Sequence, residues 1–269
     1  MRAIKRTLII LLVLLTAGYI LTAVLRGSAD RKVAPVISCP EGVLEISASD
    51  PKSLLLQGVT AYDQQDGDLT GRVILGGVSK LISNDTAKVT LLVFDSDDNM
   101  GKYTRYIRYT DYSRPRFFIR EPLIYSNTET VSILERVGAS DVVDGDISDF
   151  VRVSALEPSA DSQRYTVTVQ VTNSLGDTAW LELPVLLMET DSLRPTLKLE
   201  QSLVYLKAGT EFAPADLLVD VSTPTGPGDL SQVEIQSNVD TATPGTYEVI
   251  YTYTANDRVA TAIATIVVQ

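Results

Sequence analysis

The sequence predicts an all-β chain, in which three tandem β-sandwich domains follow one N-terminal transmembrane helix. Two observations predict this fold class: an internal repeat, and short strands with alternating apolar residues. Pro35, Pro115 and Pro195 are spaced 80 residues apart. A repeat of about 80 residues, present three times, predicts three small domains that each bury one modest core.

A second marker has the same register as the prolines. Gly-Asp pairs place an aspartate at Asp68, Asp146 and Asp229, and 27 residues after each one an apolar run ends, at Asp95, Asn173 and Asn256. The markers divide the chain into six predicted segments. These are a cytoplasmic basic stub at 1–6, a transmembrane signal anchor at 7–25, a linker at 26–34, and three repeats at 35–111, 112–191 and 192–269.

The N-terminal segment is first basic and then apolar. Three basic residues precede the 19 uncharged residues 7–25. As a helix this stretch is roughly 28 Å long, about the thickness of a hydrocarbon core. We favour an uncleaved signal anchor, with a cleaved signal peptide ending at Gly27-Ser28-Ala29 as the alternative. The membrane is therefore a predicted partner through residues 7–25, and the C-terminal body is expected outside the cell.

Charge and composition exclude several classes of function. The net charge is −11, and because residues 1–32 carry +5, residues 33–269 carry −16. Such an acidic body argues against nucleic acid as a partner. The chain has no His and one Cys, which removes Ser-His-Asp and Cys-His nucleophiles and nearly all zinc sites. We therefore expect no catalytic residues, no bound cofactor apart from a candidate calcium ion, and no enzymatic activity.

Each repeat is expected to open with a half-buried strand after its proline. The second and fourth residues after each proline are apolar, the period-2 pattern of a strand with one buried face. These pairs are Ile37 and Cys39, Phe117 and Ile119, and Leu197 and Leu199. By this pattern Cys39 is predicted to be a buried core thiol.

The strongest predicted strands lie later in each repeat. They are rich in β-branched and aromatic residues, and each runs into a polar turn. They are Val89–Phe94, Tyr165–Val171 and Tyr247–Tyr253. Several short strands separated by turns within about 80 residues predict a β-sandwich of the immunoglobulin (Ig) type.

The stretch Gly245–Tyr253, with the Asn-Asp turn and closing strand after it, resembles the bacterial Ig-like repeats of surface proteins. The same domain type resembles accessory domains of some pesticidal crystal proteins and hyalin-like repeats. The resemblance covers residues 33–269. It implies a sandwich fold, an extracellular setting and an adhesive or spacer role, and it implies no catalytic activity.

The candidate binding site is a set of six aspartates in two repeats. Carboxylates from two loops at one end of a sandwich could hold Ca²⁺, which takes six to eight oxygen ligands. The alternative is that these aspartates only cap turns, which we favour because the third repeat lacks most of them. The residues are Asp63, Asp66, Asp68, Asp141, Asp144 and Asp146.

Aromatic residues offer a weaker hypothesis. Tyr103, Tyr106, Tyr109 and Tyr112 could form a strip for carbohydrate stacking, but a spacing of three places neighbouring residues on opposite faces of a strand. Ordinary packing is therefore favoured for them, and also for Trp180 in a closing strand.

The function that best fits these patterns is a membrane-anchored, extracellular array of three Ig-like domains. It would act as a non-catalytic adhesion, binding or spacer module, with an unknown protein or glycan as its ligand. The alternative is an accessory substrate-binding or glycan-binding arm of a cell-surface enzyme complex.

Overall fold

The computed structural model describes residues 10–22, 33–159 and 163–269. Residues 10–22 form helix α1, and the regular secondary structure of the rest of the described chain consists of β-strands and a few short helical turns. Within the described ranges, no helix is long and apolar enough to cross a membrane. The structure therefore does not confirm the predicted transmembrane helix. The remainder of its predicted span, 7–9 and 23–25, lies outside the described residues, as do the stub 1–6 and most of the linker.

The described strands form three sandwich-like units, each made of a three-stranded and a four-stranded sheet. This arrangement confirms the all-β class. In the first sandwich the sheet orders are β1-β3-β4 and β2-β7-β6-β5. Its strands are β1 (Val36–Ser38), β2 (Leu44–Ile46), β3 (Thr60–Asp63), β4 (Gly67–Asp68), β5 (Ile74–Val78), β6 (Thr86–Phe94) and β7 (Met100–Tyr109).

The second sandwich repeats this connectivity, with sheets β11-β10-β8 and β12-β13-β14-β9. It also contains one short α-helix, α2 (Ile133–Arg136), and a 3₁₀ helix at Ser148–Phe150. Its strands are β8 (Arg116–Ile119), β9 (Ile124–Ser126), β10 (Val137–Asp141), β11 (Gly145–Asp146), β12 (Arg152–Pro158), β13 (Arg164–Thr172) and β14 (Thr178–Met188).

The third sandwich has sheets β15-β17-β18 and β16-β21-β20-β19. Its long hairpin closes through Asn256 and Asp257, which both have positive φ, at 51° and 60°. This is the geometry of a type I′ turn. The strands are β15 (Thr196–Leu199), β16 (Leu203–Leu206), β17 (Leu218–Thr223), β18 (Gly226–Pro227), β19 (Glu234–Ser237), β20 (Gly245–Ala255) and β21 (Arg258–Val268).

The cores are built largely from the alternate, inward-facing residues of the long hairpins. In the second sandwich Val167 and Val169 of β13 are fully buried and lie opposite Leu183 and Leu181 of β14. The strongest predicted strands lie within β6, β13 and β20, and the strands predicted after each proline are β1, β8 and β15. The period-2 reading of the sequence is therefore confirmed for these six strands.

The chain divides into two compact units. One contains the first sandwich and ends at Tyr109, and the other contains Thr110–Gln269 together with the short piece Ser47–Ser49. The second and third sandwiches thus belong to one unit. Their packing explains this, because Leu203 of β16 is part of the buried cluster of the second sandwich, with Tyr205 and Val267 packed against it.

Two details differ from the predictions. Cys39 is only half-buried, because β1 ends at Ser38 and the alternation does not continue past it. The Gly-Asp marker of the third repeat is also displaced. Strand β18 pairs with β17 as β11 pairs with β10, and it consists of Gly226 and Pro227. Pro227 therefore occupies the position that corresponds to Asp146, and Asp229 lies two residues later. The turn before β18 is one residue shorter, which sequence markers alone did not reveal.

Gly101 of β7 offers a test of the packing in the first sandwich. A Cβ atom at this position would overlap the backbone carbonyl of Pro35, whereas a Cβ at exposed Gly71 would meet no atom within 4 Å. We expect Gly101→Ala to destabilise the first sandwich by about 1–3 kcal/mol, because backbone cannot yield as a flexible side chain does. Thermal unfolding of the two variants measures this, and equal melting temperatures for Gly101→Ala and Gly71→Ala would contradict it.

Candidate functional site

Two of the three candidate aspartates in each of the first two sandwiches close turns on their own loop. In the first sandwich, Asp63 Oδ1 accepts hydrogen bonds from the backbone N–H groups of Gln65 at 2.7 Å and Asp66 at 3.0 Å. Asp68 Oδ1 accepts from the N–H of Thr70 at 2.8 Å. These are bonds from a side chain to backbone two or three residues on, the pattern of Asx turns.

The second sandwich reproduces this geometry. Asp141 Oδ1 accepts from the N–H groups of Val143 at 2.8 Å and Asp144 at 3.1 Å. Asp146 Oδ1 accepts from both the N–H and the hydroxyl of Ser148, at 2.9 Å and 2.5 Å. The same carboxylate roles therefore recur in both sandwiches.

The middle aspartate of each set joins two loops. In the first sandwich, Asp66 accepts from the N–H of Ser96 at 2.5 Å and from its hydroxyl at 2.8 Å. In the second, Asp144 accepts from the N–H and the hydroxyl of Ser174, both at 2.7 Å. The prediction that these loops share one end of a sandwich is confirmed by the four bonds. Sequence reasoning missed both serines, although each directly follows the residue that ends an apolar run.

Hydrogen bonding also sets the acidity of several of these groups. The hydroxyl and N–H of Ser148 lower the pKa of Asp146, against a smaller opposing effect of burial. The pKa of Asp68 is lowered in the same way by Thr70. For Asp95, burial raises the pKa, but hydrogen bonds from Asn99 and Asp97 outweigh it and the net shift is downward. Each of these bonds favours the charged carboxylate.

The six aspartates do not converge on one point. Among the described residues, no group of three or more His, Cys, Asp or Glu side chains is placed to hold a metal ion. Both carboxylate oxygens of Asp66 and of Asp144 already accept hydrogen bonds. A cation at these loops would have to compete with those bonds, so the geometry favours the turn role.

A partly buried polar network extends the second set of loops. The Asn173 amide nitrogen donates to Asp141 Oδ2 at 3.0 Å and to the Tyr112 hydroxyl oxygen at 2.9 Å. Tyr112 in turn donates to Asp177 Oδ2 at 2.9 Å. Burial is the main cause that raises the pKa of Tyr112, and neighbouring Asp177 raises it further. Tyr112 is therefore a neutral hydrogen-bonding group of the loop cluster.

The third sandwich keeps only one element of this arrangement. Asp229 accepts from the N–H and hydroxyl of Ser231, at 2.9 Å and 2.7 Å, and these bonds lower its pKa. It caps the short 3₁₀ helix Leu230–Gln232. The same type of hydrogen bond forms a helix cap here, so a bond of this type does not require a bound metal ion.

The aromatic residues are arranged partly as expected. Tyr109 is buried and Tyr106 is exposed, so the predicted alternation along β7 is confirmed for these two tyrosines. The packing role favoured for Trp180 is wrong, because its side chain is 61% exposed. Leu181 and Leu183 of β14 point into the core, which turns Trp180 to the outer face of the sheet. The sequence could have shown this orientation, because Trp180 is one residue before Leu181 and adjacent strand residues face opposite sides of the sheet.

Comparison with solved structures gives distant likenesses. A structure of the M60 catalytic domain with two CBM51 domains from Clostridium perfringens ZmpB is 11% identical, covering 88% of this chain and 31% of that one, with a TM-score of 0.24. Human CDH23 EC21-23 is 14% identical, covering 87% and 100%, with a TM-score of 0.21. Drosophila N-cadherin EC1-4 is 11% identical, covering 87% and 75%, with a TM-score of 0.23.

Sequence comparison is more specific. No curated protein matches the chain. A family model described as bacterial Ig-like domain (group 3) matches residues 205–268, which contain the long hairpin β20–β21. This is the stretch whose sequence pattern carries the resemblance to bacterial Ig-like repeats. Residues 205–268 are therefore similar to the bacterial Ig-like domains of group 3.

Proposed function

We propose that this chain is a non-catalytic spacer module of a bacterial surface, in which Ig-like sandwiches hold an attached partner at a fixed distance. The observation that carries the proposal is the joint between the second and third sandwiches. A spacer must resist bending, and short linkers alone do not provide stiffness. The contacts at this joint supply it through apolar packing and paired charges.

The apolar part of the joint is a shared core. Leu203 and Tyr205 of β16 pack against the buried cluster of the second sandwich. The Tyr205 hydroxyl oxygen also accepts a hydrogen bond from the N–H of Phe117 at 3.0 Å. Relative rotation of the two sandwiches would expose this apolar surface to water, which opposes bending.

The charged part of the joint consists of two ion pairs. Arg164 Nη2 donates to both carboxylate oxygens of Glu248, one of them at 2.6 Å. Arg258 Nε donates to Asp191 Oδ2 at 2.7 Å. The side chains of Arg164 and Glu248 are less than one-third exposed, so salt screens this pair less than a fully exposed one. The pairs fix orientation, while the core supplies most of the attraction.

Residual dipolar couplings of the full chain test the spacer proposal. We expect the backbone amides of the second and third sandwiches to fit one alignment tensor, because the joint holds them as one body. In the double variant Arg164→Gln, Arg258→Gln the common fit should worsen, and in the control Arg152→Gln it should not. Two different tensors in the unmodified chain would refute a stiff joint.

The aspartate loops have a structural role in this proposal. Asp144→Asn removes the charged acceptor for Ser174, so we expect a drop in melting temperature on the order of 3 °C. Exposed Asp149, which makes no side-chain hydrogen bond within the described chain, provides the control Asp149→Asn. Millimolar Ca²⁺ should leave the melting temperature unchanged. A Ca²⁺-dependent rise in the unmodified chain that Asp144→Asn abolishes would instead establish the calcium site.

Acid titration examines the same loops independently. The folded pKa of Asp146 is lowered, so its contribution to stability is present above the unfolded value of about 3.9. That contribution is lost as the pH falls through the folded pKa. The variant Asp146→Asn should therefore show a shallower loss of stability below about pH 4, while Asp149→Asn should follow the unmodified chain.

The proposed location is the outer face of the cell membrane, with residues 7–25 as the anchor. This part of the proposal is supported by the basic stub and the 19 uncharged residues that follow it. N-terminal sequencing of the membrane fraction should give a chain that retains its hydrophobic segment. A chain that begins at Asp30 would show cleavage and rule out the anchor.

Exposed Trp180 favours a second candidate, a glycan-binding arm of a cell-surface enzyme complex. Trp180 lies opposite Gln170, which lies opposite Arg152, so these three side chains share one outer face of the sheet. An aromatic face beside amide and guanidinium donors can stack on a sugar ring and bind its hydroxyl groups.

The chain contains a single Trp, so intrinsic fluorescence reports directly on this candidate surface. Titration with neutral oligosaccharides should shift the emission of Trp180 if a sugar ring stacks there. Retention of the chain on the same glycan should be lost in Trp180→Ala and kept in Tyr106→Ala, which removes an exposed aromatic side chain elsewhere. Unchanged fluorescence across a neutral glycan panel would remove this candidate.

A further inference from the structure

A cleft within the unit that holds the second and third sandwiches has a charge opposite to that of the body. Its volume is about 570 Å³, within the usual range for ligand sites. Three of its eight lining residues are cationic and none is acidic, although residues 33–269 carry −16 overall. The lining residues are Ser113, Arg114, Pro115, Arg116, Tyr205, Leu206, Lys207 and Gln269.

Arg116 is held in place on one side of this cleft. Its guanidinium lies 5.2 Å from the centre of the Tyr205 ring, within cation–π range. The Gln269 amide faces Arg116, and when its oxygen is assigned to that side it accepts from Nε at 3.2 Å and also from Nη2. Tyr205 itself is fixed by its bond to the Phe117 N–H. Arg116 therefore keeps its position without a carboxylate partner among the described residues, and it can still donate to a ligand.

The other two cations are open to solvent. The Arg114 side chain is 75% exposed, and the one ion pair that it makes with the described residues, from Nε to Asp177 Oδ2 at 3.7 Å, is long. Lys207 is exposed and makes no ion pair within the described chain. Three positive charges that line one cleft repel one another, and an anion between them would relieve that repulsion. Arginine donors also suit the planar geometry of a carboxylate.

We propose that this cleft binds an acidic sugar, with the carboxylate of a uronate residue between Arg116 and Lys207. The polar lining favours a sugar over a bare anion, because Ser113 and Gln269 can bond to the ring hydroxyls. The space suffices for one or two pyranose rings. This site is separate from the Trp180 surface and goes beyond the spacer role, but like the spacer it requires the closed joint between the second and third sandwiches.

Titration calorimetry of the full chain with oligogalacturonate tests the assignment. We expect binding that weakens with salt, and no binding of a neutral oligosaccharide of equal length. Lys207→Gln should reduce the affinity about tenfold, the loss of one charged hydrogen bond. Lys198→Gln, an exposed lysine of the third sandwich that does not line the cleft, should leave the affinity unchanged.

Arg116→Gln should weaken binding by a similar factor, but it also removes the contact with Tyr205. If Arg116→Gln unfolds, the site is tested by Lys207→Gln alone, because Lys207 is exposed and its substitution should not affect folding. A third arm uses oligomeric glycerol phosphate as the probe. Equal affinity for the phosphate and uronate oligomers would overturn the acidic-sugar assignment in favour of nonselective anion binding. Failure to bind oligogalacturonate, or equal affinity in Lys207→Gln, would overturn the site itself, and the dipolar-coupling result for the spacer would stand unaffected.

Discussion

The apolar contact between the second and third sandwiches is the interaction on which the arrangement of this half of the chain depends. Leu203 belongs to the core of the second sandwich while its strand β16 pairs with β21 of the third. Leu203 thus belongs to the third sandwich by its strand and to the second sandwich by the packing of its side chain. Without this contact, the ion pairs at the joint would connect two separate surfaces and would contribute little by themselves. With it, the charges orient surfaces that the core already holds together.

The same contact creates the basic cleft. Tyr205, two residues after Leu203, uses its hydroxyl to bind the second sandwich and its ring to support Arg116. Stiffness and a candidate binding surface therefore have one structural origin. A cleft assembled by two sandwiches keeps its shape only while the joint stays closed, so ligand affinity and joint stability are thermodynamically linked.

Local pattern was enough to predict the strands, because burial on one face of a sheet imposes a period of two on the sequence. The meeting of the loops around Asp66 and Asp144 was also predictable, since it follows from sandwich connectivity. The joint could not be predicted, because Arg164 and Glu248 are 84 residues apart. The sequence around an isolated charged residue does not indicate which residue will pair with it. The shifted position of Asp229 depended on one residue of turn length, to which motif matching is insensitive. The outward direction of Trp180 was readable from its neighbours, but general burial preference was given more weight.

Scanning calorimetry of the full chain tests the central claim, that the second and third sandwiches unfold as one. We predict two transitions, one of which has about twice the enthalpy of the other, because unfolding enthalpy scales with the number of residues. For the larger transition the calorimetric and van't Hoff enthalpies should agree, which marks a single cooperative unit. Three transitions of similar enthalpy, or a larger transition whose van't Hoff enthalpy is about half the calorimetric value, would contradict the claim.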